Sequence, residues 1–304
     1  MDKILTPAEQ TENKFGKVSR ISIRAAAHGK KTYLKDISFT APYKIMSPFE
    51  KADGGIQIMP LCASAGIMRG DCQEFSYYVE TGASLEVLSQ SFEKIHKMEG
   101  GLATRKIRIQ VESNAFLSYF PQPVIPFADS AFTSDMQIYL TDKTSGLFLQ
   151  EIISCGRTAH NERFAYRLFA SKVMIYRNGV LIYRDNTRYE PDKMPLESIG
   201  MYEGYTHMAN IFISCPANTG QTLSDGTDNS LREQIWDILE KETDCEGGVT
   251  SLVNQDLAVR IFGKRAQTLQ EVSEKIRALL SGTLFIYANN KPHSYDPDGG
   301  CDNQ

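Results

Sequence analysis

Val173-Met174-Ile175-Tyr176-Arg177-Asn178-Gly179-Val180-Leu181-Ile182-Tyr183 is the stretch on which the fold turns. An Asn-Gly pair sits between two runs of β-branched and aromatic residues. Both central residues of a type I′ turn need positive φ, which asparagine and glycine tolerate, and the twist of that turn suits antiparallel strands. The spacing predicts a hairpin turning at Asn178-Gly179. The same strand logic spreads outward. In Thr104–Glu112, Ile107, Ile109 and Val111 alternate with Arg108 and Gln110, which turns one face to a core and the other to water. Strand-like runs also occupy Val18–Ala25, Gly55–Leu61, Gln73–Glu80, Ser84–Phe92, Met136–Thr141, Leu147–Cys155, Phe164–Tyr176 and Met208–Cys215.

Helical patterning arrives mainly in the last third. Asn229–Thr243 carries Leu231, Ile235, Ile238 and Leu239, and Ala266–Ser281 carries Leu269, Val272, Ile276, Leu279 and Leu280. Spacings of three and four gather these residues into apolar stripes. A shorter helical candidate is Phe92–Lys97. Gly200–Gly204 and Asn218–Asp228 read as loops, and Ala288–Gln304, poor in apolar residues, reads as a disordered tail. There is no exact internal repeat, and no regular strand–helix alternation of the doubly-wound kind. The expectation is a mainly-β body of many short, largely antiparallel strands with a few helices, two of them near the C-terminus. Residues 1–287 form one domain and 288–304 the tail.

Composition bounds the partners. The 304 residues carry 33 Lys+Arg against 37 Asp+Glu, a net charge of −4. Nothing there calls for nucleic acid or an anionic membrane. No run approaches the ~18 apolar residues of a spanning helix, and Met1–Gly16 is polar, without the apolar core of a signal peptide. Cys62, Cys72, Cys155, Cys215, Cys245 and Cys301 are scattered, with no C-x-x-C pair, so they read as reduced thiols of a cytoplasmic protein. No phosphate-binding glycine loop is present, so nucleotide chemistry is not expected of this chain.

Few residues suggest chemistry. His28, His96, His160, His207 and His293 show no helical ligand spacing, and a lone histidine is more often a satisfied polar residue than a ligand. Cys155 and His160 straddle a Gly-Arg turn, a weak soft-metal pair. Ser91, His96 and Asp129 could be imagined as a triad, but no G-x-S-x-G elbow surrounds Ser91. Glu151 is more informative. Alternation puts it on one face with Leu147, Leu149, Ile153 and Cys155, where a carboxylate is costly unless paired or beside a wet cavity. Arg157 and Glu162 follow closely, so an Arg–carboxylate pair fixing a turn and a polar element of an internal channel are both open readings. Phe120-Pro121-Gln122-Pro123-Val124-Ile125-Pro126-Phe127 cannot be a central strand, because three prolines remove ladder donors. It reads as either an exposed apolar strip for a partner, with Phe120, Pro123, Ile125 and Phe127 as its contacts, or a rigid loop covering the core.

Several segments resemble the UreD/UreH family of urease accessory proteins. They are Ala41-Pro42-Tyr43-Lys44-Ile45-Met46-Ser47-Pro48-Phe49, Ala65-Gly66-Ile67-Met68-Arg69-Gly70-Asp71, and Ser89-Gln90-Ser91-Phe92-Glu93-Lys94-Ile95-His96. Pro121–Phe127 and Glu151-Ile152-Ile153-Ser154-Cys155-Gly156-Arg157 follow, with Asn161-Glu162-Arg163-Phe164, Asp185-Asn186 and Gly204-Tyr205-Thr206-His207 also fitting. The third segment looks closest to the Helicobacter branch, called UreH. The resemblance covers roughly residues 15 to 280. It implies a mostly-β fold with no catalytic activity and no cofactor of its own. Its implied partners are UreF, through UreF the GTPase UreG, and apo-urease, with nickel passing transiently through an internal polar tunnel. Motif position makes Asp71, Glu151 and Glu162 the candidate tunnel carboxylates, with Ser91 and His96 beside them and no tightly bound metal. Hard oxygen ligands at low density suit passage, whereas a Cys/His cage would trap the ion. The sequence carries Asn161 where many relatives have glycine, which bears on the backbone before Glu162. Two other readings stand beside this one. One is a β-rich carbohydrate-active enzyme with Glu151 and Glu162 as paired carboxylates, although the chain has one tryptophan, Trp236, on a helical stretch. The other is a passive adaptor with no ion path.

Overall fold

The computed structural model describes residues 18–215 and 230–289; the polar amino terminus, the Asn218–Asp228 stretch and the residues beyond Asn289 lie outside the described residues. The strands run in chain order β1 (Ser19–His28), β2 (Lys31–Phe39), β3 (Tyr43–Lys44), β4 (Phe49–Glu50), β5 (Ile56–Ile58) and β6 (Leu61–Cys62). Next come β7 (Cys72–Val79), β8 (Ser84–Leu88), β9 (Glu93–Ile95), β10 (Ala103–Val111), β11 (Phe116–Phe120) and β12 (Val124–Pro126). The last are β13 (Ala131–Leu140), β14 (Gly146–Ser154), β15 (Leu168–Arg177), β16 (Val180–Tyr189), β17 (His207–Ser214), β18 (Cys245–Ser251) and β19 (Leu257–Gly263). Helix α1 (Leu231–Lys241) precedes β18, and α2 (Ala266–Asn289) follows β19.

The hairpin forms where the sequence places it. Asn178 and Gly179 have φ of 51° and 75°, and β15 and β16 pair antiparallel across them. The mainly-β body with two C-terminal helices is also as expected. The strand pairing is mixed. Antiparallel pairing holds at the sheet margins, but the centres are parallel: β1–β7–β10–β13–β15 in a seven-stranded sheet and β5–β8–β11–β14 in a ten-stranded one. Parallel neighbours need a long crossover, usually a helix. Here the crossover is a strand of the opposing sheet. The chain coils β7–β8–β9, then β10–β11–β12, then β13–β14, laying each turn in register on the last. This is a structural repeat without a sequence repeat, which is why alternation could reveal strands but not their direction.

Phe92–Lys97, expected as a short helix, contains strand β9, and the hairpin β18–β19 lies between the two helices. Strands β2 and β11 likewise fall outside the expected runs. The helices cover the outer face of the larger sheet. Ser230 caps α1, its Oγ accepting from the Glu233 amide at 3.3 Å, and Leu231, Ile235 and Leu239 turn inward. Leu269, Val272, Ile276 and Leu280 of α2 complete that apolar layer with Phe148, Ile152, Ile211 and Ile213. Each such side chain contributes about 1.5–3 kcal/mol by burial.

Candidate functional site

Between the sheets, inward-facing residues stack in rungs fixed by the parallel register. Phe75, Ile107, Met136 and Val173 form one apolar rung, and Tyr77, Ile109, Ile138 and Ile175 the next. Two residues earlier on each strand the rung turns polar: Gln73, Arg105, Ser134 and Ser171, continued by Thr187 on β16. Beyond it lie Ala103, Phe132 and Phe169, part of a separate apolar cluster. A polar layer thus separates two hydrophobic clusters.

Two cavities follow that layer. The larger, about 520 Å³, opens among Cys62, Ser64, Asp71, Ser89 and Ser91 and runs inward to Gln73 and Arg105. The smaller, about 50 Å³, is an inner chamber holding Ser134, Glu151, Ser171, Thr187 and Asn210. Glu93, Arg105, Tyr119, Pro121 and Gln122 line both, and so form the neck between them. Arg105 dominates the neck. It donates to Gln73 Oε1 from Nε at 2.8 Å and Nη2 at 2.6 Å, and its Nη2 also pairs with Glu93. The rings of Phe75 and Phe132 lie 5.2 and 5.3 Å from the guanidinium carbon. Burial opposes the charge on Arg105, but Glu93 outweighs it and holds the pKa above the usual guanidinium range.

In the chamber, Glu151 Oε1 accepts from Ser171 Oγ at 2.9 Å. Burial pushes this carboxyl up from 4.5 to about 7, with the Ser171 bond pulling the other way and nearby Asp185 adding to the rise. Beyond the chamber, Asn210 Nδ2 donates to Asp185 Oδ2 at 3.2 Å, and Arg260 binds both, reaching Asn210 Oδ1 at 2.8 Å and Asp185 Oδ1 at 3.2 Å. Arg260 is half exposed, so this cluster carries the polar layer out to solvent. At the entrance, Asp71 Oδ2 accepts from the Met68 amide at 2.8 Å, and the hydroxyl of buried Tyr43 finds no partner among the described residues.

The residues singled out in the sequence part company here. Asp71 and Ser91 line the mouth, and Glu151 lines the chamber. His96 lines neither cavity; its Nε2 lies 3.0 Å from the Ala65 carbonyl and its ring abuts Phe127, which props the mouth's rim. Glu162 also lies outside both. It pairs with Arg157, which stacks 4.0 Å over Phe127, and accepts the Ala128 amide at 3.1 Å. The loop carrying it depends on Gly156, whose φ is 137° and where a Cβ would lie 2.3 Å from the Glu162 carbonyl oxygen. Asn161, just before Glu162, adopts φ 59°, a left-handed conformation that asparagine tolerates better than most residues. Cys155 is buried and His160 exposed, and no group of three or more His, Cys, Asp or Glu suited to a metal occurs among the described residues.

The Pro-rich segment is no exposed strip. Phe120 packs on Phe148, Pro123 is buried, Ile125 and Phe127 are half-buried, and Val124–Pro126 pairs with β9 and β14. It covers the core, and Pro121 and Gln122 wall the neck. Sequence reasoning also passed over Glu93 and Arg105. Arg105 has the parity of Ile107 and Ile109, so its inward aim was readable. Glu93 was hidden in a stretch taken for a helix.

Comparison with known proteins fits this arrangement. The profile of the family described as "UreD urease accessory protein" matches residues 17–293. The chain is 36% identical over 270 residues to the urease accessory protein UreD of Acetivibrio thermocellus, covering 88% of this chain and 99% of that protein. It is 34% identical over 266 residues to UreH of Helicobacter pylori strain G27, covering 87% and 95%, and 28% identical over 264 residues to UreD of Flavobacterium johnsoniae, covering 86% and 92%. A match over nearly the whole chain, with relatives of the same name at that level of identity, means that this chain belongs to the UreD family of urease accessory proteins.

Proposed function

We propose that this protein is a non-enzymatic urease maturation factor of the cytoplasm, which binds UreF, through UreF the GTPase UreG, and apo-urease, and which conducts nickel through its interior. The observation that carries the conduit is the pair of cavities that share Glu93, Arg105, Tyr119, Pro121 and Gln122, one reaching Asp71 and the other Glu151, between apolar layers of the sandwich. Carboxylates spaced along a passage offer hard, sparse ligands that bind an ion and let it go. The thiols fit passage rather than storage. Burial pushes Cys155 up to about 11 and Cys215 up to about 12, and raises Cys62 at the mouth, so all three stay protonated and poor as soft-metal ligands. Cys62, Cys72, Cys155, Cys215 and Cys245 are unpaired, which suits a reducing compartment, and no helix among the described residues is long and apolar enough to cross a membrane.

Glu151→Gln tests the conduit. The variant should keep the complex with UreF, judged by gel filtration, while urease activation in a reconstituted assay falls about tenfold or more. Unchanged activation would leave a passive adaptor. Nothing favours a glycosidase, since Glu162 is tied to Arg157 outside the cavity that holds Glu151.

A further inference from the structure

The conduit reading leaves a physical difficulty at its narrowest point. A guanidinium keeps its proton under all protein conditions, so a cation moving from mouth to chamber meets a fixed positive charge. Repulsion between like charges is strong where water is scarce. Yet the same guanidinium is what balances the acids of the passage. Glu93 pairs with it directly, and Glu151 feels its charge from the chamber. Arg105 also has somewhere to stay if Glu93 lets go, because Gln73 accepts two of its N–H bonds and the Phe75 and Phe132 rings flank it. Glu93 has room on its other side, since it borders both cavities.

We propose that Arg105 is a charge-exchange gate: its guanidinium is the resident counter-cation of the passage, and a divalent cation entering from the Asp71 mouth crosses the neck by replacing Arg105 as the partner of Glu93. The proposal rests on the conduit reading and supplies its selectivity. A monovalent ion gains too little to displace a guanidinium held at Glu93, whereas a divalent ion brings twice the charge to the same carboxylate. It also accounts for why an acid-lined passage need not fill with metal: the chain carries an internal competitor.

The test uses the full chain with nickel chloride as probe, read by calorimetric titration and by melting temperature. Arg105→Gln vacates the cation position and leaves Glu93 free. It should lower the melting temperature without metal, bind nickel about tenfold or more tightly than the parent, and regain melting temperature as nickel is added. Arg105→Gln combined with Glu93→Gln should bind no more tightly than the parent. A folded Arg105→Gln chain whose affinity and melting temperature ignore nickel would overturn the gate. Should that variant fail to fold, Arg105→Lys keeps the charge but loses the planar fork; an affinity raised above the parent supports exchange, and an unchanged one overturns it. These readouts do not involve urease. Loss of activation in Glu151→Gln with no nickel response in Arg105→Gln sinks the gate and keeps the conduit. The reverse pattern keeps the gate's cation exchange and sinks the conduit.

Discussion

The seven-stranded sheet buries two arginines on its inner face, at opposite ends of the ladder, and they behave differently. Arg105 belongs to the polar rung with Gln73, Ser134 and Ser171, and Arg177 ends the apolar rung Val79–Val111–Leu140. Both have a carboxylate partner. Arg177 grips Asp256 with both ends of its fork, at 3.0 and 2.7 Å, and adds Ser214 Oγ at 2.7 Å. Side-chain exposures of 8% and 4% bury that pair, and it lines neither cavity. Arg105 and Glu93, by contrast, border open volume on two sides. The same pair of groups acts as a clip in solid packing and can act as a moving part beside a cavity. Burial alone does not distinguish them; the volume next to the pair does.

Asp256→Ala breaks the clip and carries the largest expected effect. It strands a guanidinium in the core, and removing one partner of a buried pair typically costs about 3–5 kcal/mol. Denaturant unfolding should show that loss, and nickel should not restore it, because the pair lines neither of the two cavities. A loss under about 1 kcal/mol, or recovery with nickel, would erase the distinction between the two arginines.

Much of this architecture was legible in the sequence, and the limits have physical causes. Asn178-Gly179 announced the hairpin because few residue pairs accept two positive φ values in succession. Glu151 announced itself by breaking an apolar face. Parallel pairing stayed hidden because alternation records which face is buried and says nothing of the neighbour's direction. The neck stayed hidden for a related reason. Arg105 and Glu93 lie on β10 and β9 and meet in space only after the coil has turned. Phe92–Lys97 contains one three-residue strand, too short for its period to declare itself. Glu162 was drawn toward Glu151 by closeness in sequence, but the strand ends at Ser154 and the Gly156 turn carries the chain out of the interior.

Glu151→Gln sharpens the comparison from the chamber side, with a pH signature. Burial holds the Glu151 carboxyl at about 7 in the folded chain, against 4.5 as its ordinary value. Between those values the folded chain keeps a proton that the unfolded chain releases, so this group's contribution to stability falls as pH rises from about 4.5 to about 7 and is level above. Glutamine removes that slope. At pH 8 the variant should be more stable than the parent by about 2–3 kcal/mol, and near pH 4 about equal to it. Denaturant unfolding across pH measures this directly. A parent slope of the opposite sign would mean that Glu151 is ionised and paired in the resting protein, and the chamber would then be a second clip.

Glu162→Gln should do least, and that modesty is informative. Arg157 beside it holds the Glu162 carboxyl below its ordinary range, so its contribution to stability has the reverse sign: present above about pH 4.5 and lost as pH falls further. The pair is partly exposed, so solvent screens and weakens it, and glutamine retains an oxygen for the Ala128 amide. The melting temperature at neutral pH should barely move, and urease activation should stay at the parent level. Two glutamates eleven positions apart would then differ in stability sign, in pH window and in function, with the cavity beside Glu151 as the cause. Equal loss of activation in both variants would mean that the ion route leaves the sandwich past Arg157, and the neck at Arg105 would no longer be the step that selects the ion.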